Sequence, residues 1–231
     1  MFTNANIHLD LPQIVLAIGS LGVAAYGVVD ATKALGGGIS NRGFGDIKKV
    51  ISRLIPEGLS SNGPALALKS VLSTLRANWL NGMALSDQKA VAKSLIKLNL
   101  TERTAPQMAA ATGVDADTLT KIAAKLGTGT ELSQAEADVY GRFDLLVASL
   151  LDQGYQRADQ RYRNSAKLLA IPVSVILALL GAWTIDNFVY NSVDFFRAFI
   201  GGLLATPLAP VAKDLASAIQ AGTKLAQVGK K

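Results

Sequence analysis

Residues able to do chemistry are few and scattered in this 231-residue chain. It has no cysteine, which excludes disulfides, thiolate metal sites and cysteine nucleophiles. Its one histidine, His8, removes His-cluster metal sites and leaves a single imidazole near the N-terminus that is not expected to act as a general base. The segment most like a ligand cradle is residues 34–49, ALGGGISNRGFGDIKK, with five glycines between Gly36 and Gly45. A P-loop requires GxxxxGK[ST] after a strand. Here Gly43 is followed by Phe44 and Gly45, and an apolar run precedes the loop. The dinucleotide fingerprint also fails, because neither Gly36-Gly37-Gly38 nor Gly43-Phe44-Gly45 supplies its third glycine. No metal cluster, no nucleophile beside a base and no chain of intramembrane acids appears. No catalytic residue, metal or cofactor is expected.

The elements around these residues account for the glycines. Charged residues make up 17% of the chain against about 25% in soluble domains, and mean hydropathy is +0.31. Residues 11–29 are uncharged, about the length that crosses a bilayer core. Residues 168–185 are also uncharged and close near Trp183 and Tyr190, aromatics of the kind found at membrane interfaces. Residues 195–212 are interrupted by Arg197, Pro207 and Pro210, with Arg197 near enough to the end to snorkel. A signal peptide begins with a positive region, whereas residues 1–10 carry no Lys or Arg. The expected fold is an all-α integral membrane protein: three transmembrane helices, with a helical cytoplasmic domain inserted between the first and second.

Positive charge sets the expected orientation. Residues 33–167 hold 18 of the 23 Lys and Arg, residues 186–194 hold none, and the C-terminal tail adds more. The N-terminus is therefore expected outside and the C-terminus in the cytoplasm. The pI near 9.5 follows from this topology and needs no nucleic acid. The expected segments are 1–35 (first span), 36–45 (glycine joint), 46–166 (helical domain), 167–216 (two-span hairpin) and 217–231 (basic tail). Glycines at the joint permit the φ-positive turns with which a chain leaves a span to start a helix along the surface.

Two spans carry small residues at helical spacing. Ala17, Ser20, Ala24, Gly27 and Ala31 form one row; Ala198, Gly201, Ala205 and Ala209 begin another. Helices associate in lipid by close backbone approach through such rows, within one chain or between subunits. Asp30 ends the first span, Lys213 and Asp214 end the third, and Asp30 is expected near Lys213 as an interfacial anchor. Arg157, Arg161, Arg163 and Lys167 precede the second span, where basic clusters attract anionic lipid headgroups.

The middle of the chain reads as helices. Asp46 begins a basic one stopped by Pro56, and Asn62-Gly63-Pro64 begins another carrying Leu68, Val71, Leu72, Leu75 and Trp79. Ser86 or Asp87 caps a third (Val91, Leu95, Leu98), and Asp115 or Asp117 a fourth (Leu119, Ile122, Leu126). Ser133 to Glu136 is a capping box for a long helix running into the second span. Residues 105–122 imitate a helix-turn-helix through Ala109, Gly113, Val114, Leu119 and Ile122. Asp115 and Asp117 at the start of its second helix oppose phosphate, so nucleic acid is not the expected partner.

The segments FD, DQRYRNSAK and LAPVAKDLASAIQAGTKL, with two spans between the last pair, resemble a group of uncharacterised bacterial inner-membrane proteins. Matching positions are Asp30, Phe143-Asp144, Tyr162-Arg163, Ala209-Pro210 and Asp214-Leu215; the group's glycine before Ala-Pro and its aromatics before the aspartate are missing here. The resemblance implies the same topology and a bacterial inner membrane, and carries no activity. The expected role is a non-enzymatic membrane scaffold or accessory subunit, in a homo-oligomer or a larger membrane complex. Alternatives are a pore or transporter component, which would need a polar face along a span, and a membrane-tethered DNA binder.

Overall fold

The computed structural model describes residues 10–57, 63–184 and 193–228, so His8 and most of the link between the last two apolar segments lie outside the described residues. Among those residues the chain is all-α. Its helices are α1 (Leu11–Ala31), α2 (Ser40–Leu54), α3 (Leu68–Leu80), α4 (Leu85–Leu98), α5 (Ala105–Thr112), α6 (Ala116–Thr128), α7 (Gln134–Trp183) and α8 (Val193–Val228). They form two compact units: a helical domain, Gly37–Arg163, and an apolar unit made from the two ends of the chain.

One core holds the helical domain together. α2 contributes Phe44, Ile47, Ile51 and Leu54, α3 contributes Leu68, Val71, Leu75 and Trp79, and α7 contributes Phe143, Val147, Leu151, Tyr155 and Ala158. Each set recurs every three or four residues, so each amphipathic helix turns one stripe inward. α7 begins with the predicted capping box: the Ser133 N–H donates to the Glu136 carboxylate at 2.7 Å, and the Glu136 N–H to the Ser133 hydroxyl at 3.4 Å. As predicted, this helix continues without a break into the second apolar segment.

Several local expectations change. α3 begins at Leu68, with only the short turn Pro64–Leu66 before it, α4 is preceded by Ala84 so that Ser86 and Asp87 lie inside its first turn, and Leu126 on α6 is exposed. α2 starts at Ser40 rather than Asp46, which leaves Gly36, Gly37 and Gly38 as the joint, with φ of 74°, 101° and 45°. Gly43 is helical because α2 needs a bare backbone there: a Cβ would lie 2.6 Å from the Ala158 carbonyl and 2.8 Å from the Trp79 ring. Gly43 meets Ala158 and Tyr162 while Val50 meets Gly154, so α2 runs antiparallel along α7. On α4 the inward stripe is Gln88, Ala92 and Ile96, with Leu98 exposed. Val91 and Leu95 of the expected stripe pack against the core partly buried, and the sequence reading missed Ala92, which is small, and Gln88, which is polar, although both are buried.

The apolar unit contains α1, residues 164–183 of α7, and α8. Three helices are long and apolar enough to cross a membrane, and in their apolar windows only 22, 17 and 28% of residues are buried. Large side chains such as Leu168, Ile176 and Phe196 face outward. Such a surface suits hydrocarbon rather than water.

Candidate functional site

The principal helix contact in the apolar unit is α1 on α8. α1 buries Gly19, Gly22, Ala25 and Val29, and α8 buries Ala205, Ala209 and Ala212. A Cβ on Gly19 would overlap the Ala212 methyl, and one on Gly22 would overlap the Ala205 carbonyl and lie 3.0 Å from the Ala209 methyl. The backbones therefore touch where glycine leaves room. From Gly19 to Gly22 the partners fall from Leu208 and Ala212 to Ala205 and Ala209, so the two helices run antiparallel.

This contact uses one of the two predicted small-residue rows, and that one in part. On α8, Ala205 and Ala209 are buried as part of the row, while Ala198 and Gly201 are half-buried. On α1 the contact row is a different one. Ala17, Ser20, Ala24, Gly27 and Ala31 are all exposed, and a Cβ on Gly27 would meet open space. The Ser20 hydroxyl bonds to its own helix, at 3.1 Å from the Ala17 carbonyl. The contact is made beside the expected row, where Gly19 and Gly22 have no Cβ to hold the two backbones apart.

α8 also clasps α7. The buried Ser174 hydroxyl lies 2.8 Å from the Gly202 carbonyl and 3.3 Å from the Thr206 hydroxyl. A Cβ on Gly202 would sit 2.6 Å from the Val175 Cα. This pair was not singled out in the sequence. Its signal is the glycine and hydroxyl facing a proline-containing segment, where Pro172 removes a backbone donor.

The interfacial charges are not brought together as expected. Asp30 is ion-paired with Lys33. Lys213 lines a groove of about 640 Å³ with Leu16, Ala17 and Ser20. Ten residues separate Ser20 from Asp30, or about 15 Å along a helix. Asp214 is exposed.

The basic residues before the second apolar segment divide into two kinds. Arg161 Nε lies 3.1 Å from the buried Asp46 carboxylate, and Arg163 Nε 2.7 Å from Asp159. Among the described residues Arg157 and Lys167 are exposed and show no ion pair. Of the four, these two alone have no carboxylate partner among the described residues.

Elsewhere in the helical domain, α4 is fastened to α7 by a ladder of lysines. Lys89 meets Asp152 at 2.5 Å, and Lys93 and Lys97 meet Asp144 at 2.6 and 3.2 Å. Burial on its own would raise the Asp144 carboxyl; the two ammonium groups outweigh it and hold the pKa below the usual range. Glu136, bonded by Lys125 and by the Ser133 N–H, is lowered from 4.5 to about 2. The helix-turn-helix shape forms: Gly113 is left-handed at φ 74°, and the Asp115 carboxylate caps α6 by accepting from the Thr118 N–H at 2.8 Å. Asp115 and Asp117 thus stand at the start of the second helix. Among the described residues no three His, Asp or Glu converge as metal ligands. Comparison with family models, with curated proteins and with solved structures finds no match.

Proposed function

We propose that the chain is a non-catalytic membrane scaffold or accessory subunit, which holds a helical domain at the cytoplasmic face of a bacterial inner membrane for assembly with copies of itself or with a larger complex. The observation that carries this reading is the α1 row Ala17, Ser20, Ala24, Gly27 and Ala31, still exposed after α1 has packed on α8. In lipid, a row of small residues allows the close approach on which helix association depends. The charge pattern supports an N-terminus outside, with the helical domain and C-terminus inside, by the preference of Lys and Arg for the cytoplasmic side. Anionic headgroups are the proposed partners of Arg157 and Lys167.

The test is purification of the full chain in mild detergent, with mass measurement and identification of whatever accompanies it. The reading expects a homo-oligomer or a reproducible partner. Recovery as a lone monomer, from membranes cross-linked before extraction, would sink it.

A further inference from the structure

We propose that the antiparallel α1–α8 pair is a closed form of the apolar unit, and that it opens when all three apolar helices cross the bilayer. The proposal rests on the three-crossing reading given above. In that reading α1 carries the chain inward and the helical domain follows on the inner side. Residues 168–183 lead outward again, and α8 returns. α1 and α8 then run in the same sense. A contact in which rising numbers on α1 meet falling numbers on α8 cannot form within such a chain, and that is the contact between Gly19–Gly22 and Ala205–Ala212.

The depth of a charge gives a second, independent argument. In the closed pair Lys213 shares a groove with Ser20, the middle of the uncharged run 11–29. An ammonium group held at the centre of hydrocarbon is strongly disfavoured. In the parallel sense, with the outer ends of the two helices level, α8 reaches Lys213 where α1 reaches Asp30. The charge then lies at the interface beside a carboxylate. Residues with small or absent Cβ line both contact faces, so the same faces can meet again in the parallel sense. The joint is suited to the change, since Gly36, Gly37 and Gly38 all have positive φ and α1 is redirected by a few backbone rotations there.

The native chain contains no cysteine, so introduced pairs report without background. Two pairs distinguish the forms under a short bis-maleimide: Ser20→Cys with Ser217→Cys, whose positions flank the groove of the closed form, and Asp30→Cys with Lys213→Cys for the open form. In the parallel sense Ser20 and Ser217 are about 22 Å apart along the axis, beyond such a reagent. In mild detergent the first pair is expected to cross-link within one chain. In native membranes that product is lost and the second appears. Intramolecular cross-linking of Ser20→Cys with Ser217→Cys in membranes overturns the proposal, as does its absence in both settings. Separately, Asn4→Cys and Lys230→Cys are labelled with an impermeant maleimide. Labelling from opposite sides is expected; labelling from one side means that the three-crossing reading has failed, and the proposal with it.

Discussion

Gly43 of α2 lies against the carbonyl of Ala158 on α7, so close that a methyl group on Gly43 would sit 2.6 Å from that oxygen. The contact sets how closely α2 approaches α7. It also brings Ser40 under Trp79, whose indole N–H donates to the Ser40 carbonyl at 3.0 Å. Gly43→Ala is expected to destabilise the chain by about 1–2 kcal/mol, because overpacking outweighs the gain in helix propensity. Gly45, one position beyond Phe44, faces open space. Gly45→Ala is expected to be neutral or to stabilise by about 0.5–1 kcal/mol. Urea unfolding of the full chain in detergent, followed by far-UV circular dichroism, checks both. Equal effects would show that the two glycines do the same work.

Acid should loosen the domain at two identified carboxylates. Asp144 and Glu136 have folded pKa values below their unfolded ones. Each therefore contributes stability above its unfolded pKa and loses it as pH falls through the folded value. For Glu136 the window runs from 4.5 down to about 2. Asp144→Asn is expected to cost about 1 kcal/mol at pH 7, as for a partly exposed ion pair. The difference from the native chain should vanish at the acid end. Urea midpoints measured from pH 7 to pH 2 check this; a constant difference would remove the charge argument.

How much of this was legible in the sequence follows from what each element depends on. α7 was readable from its capping box and apolar run, because both are local. α6 was readable from Asp115, Leu119 and Ile122 for the same reason. The start of α2 was not, since Gly43 and Gly45 look like loop residues until Ala158 and Trp79, far away in sequence, close on the first of them. On α4, Gln88 was missed because its burial depends on a backbone partner, the Met83 carbonyl at 2.6 Å, that no periodicity reveals. The four basic residues before the second apolar segment looked equivalent. Asp46, brought alongside by the reversal of α2, singles out Arg161.

The two faces of α1 should separate in their consequences. Gly22→Leu collides with α8 and is expected to abolish the Ser20→Cys/Ser217→Cys cross-link in detergent. Gly27→Leu meets open space within the chain and is expected to leave that cross-link intact while reducing recovery of the oligomer or partner. Cross-linking yield and mass in detergent read the two effects independently. If both substitutions act alike, α1 has one contact face rather than two.

The basic residues before the second apolar segment should divide the same way. Arg157→Gln and Lys167→Gln remove unopposed charges, and each is expected to weaken retention of anionic lipid about fivefold, since a charge near the surface contributes about 1 kcal/mol. Arg163→Gln should weaken it less, because Asp159 already neutralises that guanidinium. Arg161→Gln strands the carboxylate of Asp46, which is 9% exposed against 53% for its partner. Its expected effect is on the fold, about 1–2 kcal/mol of lost stability, discounted for the exposed arginine. Adding Asp46→Asn should restore most of that loss without changing lipid retention. Native mass spectrometry of bound lipid, set beside urea midpoints for the same variants, separates the two roles. A uniform loss of lipid across all four positions would mean that the ion pairs with Asp46 and Asp159 do not outcompete the membrane for these arginines.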